Sequence, residues 1–337
     1  MKNIDLGFIL VIIGSIIGAG FASGKEIEVF FSGAGAFSLL IIIIASIFFY
    51  FSIKNLIKFT KITQKSNMKE INKILFNKTS KFFDSFIFVG LFIFLVVLLA
   101  GLNSIGTLIF SNINFPIITI LSIFFSFFIV LNGIEMMTKV NIILMPIIII
   151  SILVVAISSF FSINSSNFFS FNQNLNVKYI FSGFLYVGYN IIFLSSLVAQ
   201  KSINFSHKKS KINTIFLSVL LFILLFVVNG VMMKIKFSTD LPMLILAFKI
   251  NSIVGYIFTL VLYFSILTSL ISTLYVLTNS IKMNKFFSIA IFSTLAYIFS
   301  FFGLDFIVSF IYPIEGVVGI IFILKVYFYN KKHTKML

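Results

Sequence analysis

The chain has 337 residues, 60% of them hydrophobic and only 10% charged, with 48 phenylalanines and a mean hydropathy of +1.17. A hydrocarbon core of about 30 Å takes about 20 helical residues to cross, so this length holds about ten spans with short links and leaves no room for a soluble domain. The net charge of +16 is carried by lysine alone. In so apolar a chain it marks which loops stay inside rather than a nucleic-acid surface, and the absence of cysteine excludes disulfides and thiolate metal sites.

Span one is expected at about 5 to 30. Glu26 and Glu28 at its far end, and the lack of an Ala-x-Ala-like site, argue for a retained helix rather than a cleaved leader. Span two follows the Gly33-Ala34-Gly35 turn at about 35 to 56. A lysine-rich loop comes next, from Lys54 to Lys81. Its spacing fits an amphipathic helix resting on anionic headgroups or a solvated loop.

Span three runs from about 82 to 110, and the Ser111 to Phe115 link leads to span four at about 116 to 132. Span five covers about 140 to 162 and is followed by the uncharged, Asn- and Ser-rich segment Ile163 to Val177. Span six is expected at about 179 to 200 and span seven at about 212 to 233. An outer segment with Lys234, Lys236, Asp240 and Lys249 precedes span eight, about 251 to 281. Span nine covers about 286 to 302, the chain turns near Asp305, and span ten, about 306 to 329, leads to the Lys331-Lys332-His333-Thr334-Lys335 tail. His207 and His333 both fall in basic hydrophilic stretches and read as solvated side chains. With ten spans and both termini cytoplasmic in a cell membrane, Lys25, Lys178, Lys234, Lys236 and Lys249 lie outward, and the other 20 of the 25 lysines lie inside.

Residues 14–24 of span one hold four glycines, Gly14, Gly18, Gly20 and Gly24. Each costs about 1 kcal/mol of helix propensity relative to Ala. Two readings fit: a small-xxx-small packing seam, or an interruption lining a binding cavity. Dividing the chain after span five into 1–162 and 178–330 puts five spans in each half. An odd number per half inverts one against the other, the geometry of an inverted repeat. Span six must then match span one, and its Gly183, Tyr186, Gly188, Tyr189 and Asn190 are the expected second interruption.

The run Gly14-Ser15-Ile16-Ile17-Gly18-Ala19-Gly20-Phe21-Ala22-Ser23-Gly24-Lys25-Glu26-Ile27, followed by Phe30-Phe31, resembles the opening of the YkvI-type bacterial membrane proteins. Those are related to the amino acid/polyamine/organocation transporters and so to the LeuT-type fold. The resemblance implies an all-α integral membrane protein with about ten helices in a five-plus-five inverted repeat, helices 1 and 6 interrupted. It implies no enzyme, but a secondary transporter of an amino acid or similar zwitterion.

Laid on this sequence, the LeuT-type break falls at Gly18-Ala19-Gly20, with Phe21 beside it as solute-facing backbone. Sodium, which prefers hard oxygen donors, is expected to take carbonyls of Gly14 and Ile17 and hydroxyls of Ser265, Thr268 and Ser269. Ser269, Ser272 and Thr273 form a second register, and helix packing of these hydroxyls is the competing reading. Tyr186, Gly188, Tyr189 and Asn190, with Asn103 and its neighbours Ser104 and Thr107, are expected to line the solute pocket. Glu26 and Glu28 are placed in the outer vestibule, where Lys25 can pair with either. Glu315, within span ten after Tyr312-Pro313, is a candidate for gating or proton coupling. Span five holds no lysine to stand in for sodium as in some relatives. The expected partners are a small solute and the lipid bilayer, with no cofactor beyond the ion. Proton coupling, or a germinant-receptor-like subunit that senses a solute without moving it, are the alternatives.

Overall fold

The computed structural model describes residues 3–109, 117–162, 177–234, 241–300 and 311–333. The Ser111 to Phe115 link, nearly all of Ile163 to Val177, and Lys236, Asp240, Asp305 and Lys335 lie outside the described residues, as do the side chains of Thr107 and Lys178. The described chain is all helical. Its elements are α1 (Leu6–Ile16), α2 (Ala19–Ser23), α3 (Lys25–Phe30), α4 (Ser38–Thr63), α5 (Met68–Phe76), α6 (Ser80–Ile109) and α7 (Ile117–Leu131). They continue with α8 (Gly133–Ser162), α9 (Val177–Ser202), α10 (His207–Met232), α11 (Pro242–Ile250), α12 (Ser252–Asn279), α13 (Lys285–Phe299) and α14 (Tyr312–His333). Among the described residues, seven helices are long and apolar enough to cross a membrane, and three shorter apolar ones, α1, α7 and α13, fall where spans one, four and nine are expected.

The helices are amphipathic in the sense a lipid solvent requires. Helix α7 buries Thr119, Ser122 and Ser126 and exposes Leu121, Phe124, Phe125 and Phe128. Inside, the Ser122 hydroxyl bonds back to the Ile118 carbonyl and the Thr119 hydroxyl to Asn103 of α6; outside, only hydrocarbon is shown. Helix α1 is apolar nearly all round and buried from Phe8 to Gly14, which puts it at the centre of the bundle. Its start is clasped to α10. The Asp5 side chain caps α1 by accepting from the Phe8 N–H (2.9 Å) and pairs with Lys209 Nζ (2.7 Å), while the Asp5 N–H donates to Asn213 Oδ1 (2.7 Å).

Two expectations change. The interruption expected in span six is absent: α9 is one helix of 26 residues. Its glycines serve packing instead. A Cβ at Gly188 would strike the carbonyl of Gly316 on α14, and one at Gly319 would strike the carbonyl of Gly188, so the two backbones touch. Gly183 likewise makes room for Ile41 of α4, and Asn190 donates back to the Tyr186 carbonyl (2.9 Å) rather than opening the helix. The second change concerns the lysine-rich loop. Its helix α5 forms as an amphipathic helix, exposing Lys69, Glu70 and Lys73, and its other face packs on protein. Phe76 stacks on Phe83 at 3.7 Å, the Met68 sulfur accepts from Ser195, and Asn67 bonds the Asn279 carbonyl. Helix α11, in the expected outer segment, was not anticipated.

The α9–α14 contact carries a direct test. Gly319→Ala is expected to lower the unfolding midpoint in detergent by an overpacking cost of about 1 to 3 kcal/mol. Gly106→Ala, whose Cβ would meet only Ile118 at 4.0 Å among the described residues, is expected to leave it unchanged or raise it, since alanine is the better helix former.

Candidate functional site

The first membrane-crossing segment is broken twice. At Ile17 (φ −79°, ψ 74°) and Gly18 (φ −96°, ψ −159°) the backbone leaves the helix, and the Gly18 N–H turns to the Ile16 carbonyl (2.9 Å). The carbonyl of Gly14, which would accept from Gly18 in a continuous helix, is thereby released. The break starts one residue earlier than the expected Gly18-Ala19-Gly20, and helix resumes for the five residues of α2, so Ala19, Gly20 and Phe21 are helical. It stops at Gly24, whose φ of +86° suits glycine. Gly18, Ala19, Gly20 and Phe21 are all buried.

Helix α12 meets the released carbonyl. Ser269 Oγ donates to the Gly14 oxygen at 3.0 Å, and Thr268 Oγ1 reaches it at 3.5 Å while donating to the Ser265 carbonyl at 2.9 Å. The structure thus gathers Gly14, Ser265, Thr268 and Ser269 with Ile17 next in the chain, but alters one role. The Ser265 hydroxyl bonds back to the Leu262 carbonyl (2.8 Å), so Ser265 offers its carbonyl rather than its hydroxyl. The second register is spent in its own helix, with Ser272 on the Thr268 carbonyl and Thr273 on the Ser269 carbonyl.

Helix α8 adds two residues that sequence reading missed. Asn141 is fully buried, and its Oδ1 lies against Gly14 where a Cβ would otherwise be, with no hydrogen-bond donor among the described residues. Met145 stands over Gly14 with its sulfur 3.9 Å from Thr268 Oγ1. The available signal was the lone amide in span five. Released carbonyls, hydroxyls and an orphaned amide oxygen, with no carboxylate, make a neutral set of hard oxygens that fits a monovalent cation.

The acidic candidates occupy unexpected positions. Glu26 is not in an outer vestibule: it is 1% exposed, folds back over Gly20, and accepts from the Tyr189 hydroxyl at 2.6 Å. The αL turn at Gly24 redirects the chain and allows this return. Lys25 pairs instead with Glu28, at 3.4 Å. Glu315 sits in the first turn of α14, 3% exposed, with its carboxyl against Gly90 of α6 and its Oε2 unpartnered among the described residues. Between the two acids stand packed aromatic rings: Tyr189 lies 5.5 Å from Tyr186 and 4.8 Å from Tyr312, and Phe30 lies 5.7 Å from both Tyr186 and Tyr189.

Of the expected pocket residues, Tyr189 reaches the Glu26 carboxyl and Tyr186 packs on Phe30 and Phe31. Asn190 joins Ser15, Ser272 and Thr273 in lining a narrow cleft that runs from Tyr189 towards Leu197. Gly188 belongs to the α14 contact. Asn103 is also removed from the pocket, because it donates to Ser300 (2.8 Å) and accepts from Thr119 (2.6 Å), tying α6 to α13 and α7. On α6 it is Gly101 that faces Ala19.

No family model matches the chain. It is 26% identical over 329 residues to the uncharacterized membrane protein YkvI of Bacillus subtilis (strain 168), spanning 93% of this chain and 92% of that protein. Its structure is similar to that of MhsT, crystallised in complex with L-phenylalanine, with a TM-score of 0.72 at 16% identity, covering 97% of this chain and 96% of the other. The likeness to YkvI read from span one therefore runs along nearly the whole chain, and the fold is of the LeuT type.

Proposed function

We propose that the protein is a secondary active transporter that moves an amino acid or similar zwitterion across the cell membrane by alternating access, coupled to sodium. In this reading ten spans form two inverted halves, 1–162 and 178–330, both termini are cytoplasmic, and only the first helix is broken. The solute sits beside Gly18, Ala19, Gly20 and Phe21, against Tyr186 and Tyr189. Sodium is held by the Gly14, Ile17 and Ser265 carbonyls and the Thr268 and Ser269 hydroxyls, with Asn141 at its side. Bound there, the ion supplies a positive charge that ties α1 to α12. One observation carries the reading: a carbonyl released by a break inside the bundle is met by two hydroxyls of another helix. The L-phenylalanine in the MhsT structure supports an amino acid as the solute class. Glu26 and Glu315, buried without a cation among the described residues, favour a second reading in which protons drive transport.

Uptake of labelled amino acids into proteoliposomes separates the two. Under the sodium reading an inward sodium gradient stimulates uptake, and Thr268→Ala or Ser269→Ala raises the half-saturating sodium concentration about tenfold. Uptake that ignores sodium and follows a proton gradient transfers the coupling to the two acids.

The broken segment has its own test. Gly20→Ala is expected to destabilise the purified protein by about 1 to 3 kcal/mol, because the new methyl overlaps the Glu26 carboxyl. In a Glu26→Ala background the same change is expected to cost much less, and unfolding of the four proteins measures that coupling.

A further inference from the structure

We propose that the Glu26 carboxylate receives the ammonium group of the solute, so that the site selects molecules bearing a primary amine; this rests on the reading of the broken segment as a solute site. A carboxylate has about four lone-pair positions, and Glu26 uses one, towards Tyr189, its single hydrogen-bond partner among the described residues. The other oxygen, Oε1, lies over Gly20 in α2, two residues past the break. An ionised carboxylate enclosed by protein is costly unless a cation accompanies it. Among the described residues no lysine comes within ion-pair distance, and Lys25, its chain neighbour, is directed to Glu28. A solute ammonium supplies the missing charge.

The surroundings fit the same class of ligand. Tyr189 is packed by Tyr186, Tyr312 and Phe30, and Phe31 lies 5.1 Å from Tyr186. Aromatic faces gathered about an acid favour organic cations, whose N–H groups meet the acid while their carbon skeleton meets the rings. Gly20 is part of the device, since any side chain there would displace the Glu26 carboxyl.

The test uses the purified full-length protein in sodium buffer and thermal-shift titration with matched sets: each of the twenty amino acids, the amine lacking its carboxylate, and the acid lacking its amine. L-phenylalanine, phenethylamine and 3-phenylpropionate form one such set. The wild-type protein is expected to bind an amino acid at least about tenfold more tightly than its des-amino counterpart. Glu26→Gln is expected to erase that difference by weakening the amine-bearing ligand alone. A des-amino acid that binds the wild type as tightly as its parent overturns the proposal, and this comparison needs no variant to fold. So does Glu26→Gln with unchanged affinity for the amino acid; if that variant also loses its response to a proton gradient, the carboxyl belongs to proton transport. If no member of any set stabilises the wild type, the solute-site reading itself falls.

Discussion

Backbone carbonyls and amides have no water to turn to inside a membrane, and each one left unmet costs several kcal/mol. A chain that breaks a helix at that depth must therefore bring new donors to the break. Here the released Gly14 carbonyl takes hydroxyls from Ser269 and Thr268, which fixes the rotation of α12 against α1. Asn141 and Met145 of α8 lie against the same glycine, the Met145 sulfur 3.9 Å from Thr268 Oγ1. The central helices are thus arranged about one discontinuity.

Glycine governs where the buried acids lie. Each of the two carboxyls rests on a position that could not carry a side chain: Glu26 on Gly20, and Glu315 on Gly90. Neither acid has a lysine beside it among the described residues, so both depend on tyrosine, on protons or on what the site binds. The ordinary use of glycine, close helix packing, operates in the same molecule between α9 and α14. The two uses are chemically distinct, although a glycine in either role looks alike in a sequence.

That likeness explains what could and could not be read from the residues. Apolar runs and lysine-rich loops mark the helices well, because lipid imposes length and water imposes charge. The break near Gly18 and the i, i+3, i+4 run of Ser265, Thr268 and Ser269 were also legible, since both are local patterns. Gly183 and Gly188 were misread because whether a glycine opens a helix or packs against another is decided by the opposite helix, here α4 and α14, and no local pattern encodes that. Glu26 was placed too far out for a similar reason. Its depth depends on the αL turn at Gly24, which reverses the direction that helical counting assumes. Asn103 and Asn141 exchanged importance through tertiary partners alone, Ser300 and Thr119 for one and Gly14 for the other.

Helix α2 is a five-residue rod with a joint at each end, Ile17-Gly18 before it and Gly24 after it. The Gly18 to Ile16 and Gly24 to Phe21 backbone hydrogen bonds cross those joints, and the Lys25 N–H donates to Ser23 Oγ across the second. The rod packs on α11 and α12, so a change at either joint moves Gly20 relative to Glu26 like a crank between two shafts, with the ladders of α1 and α3 left intact.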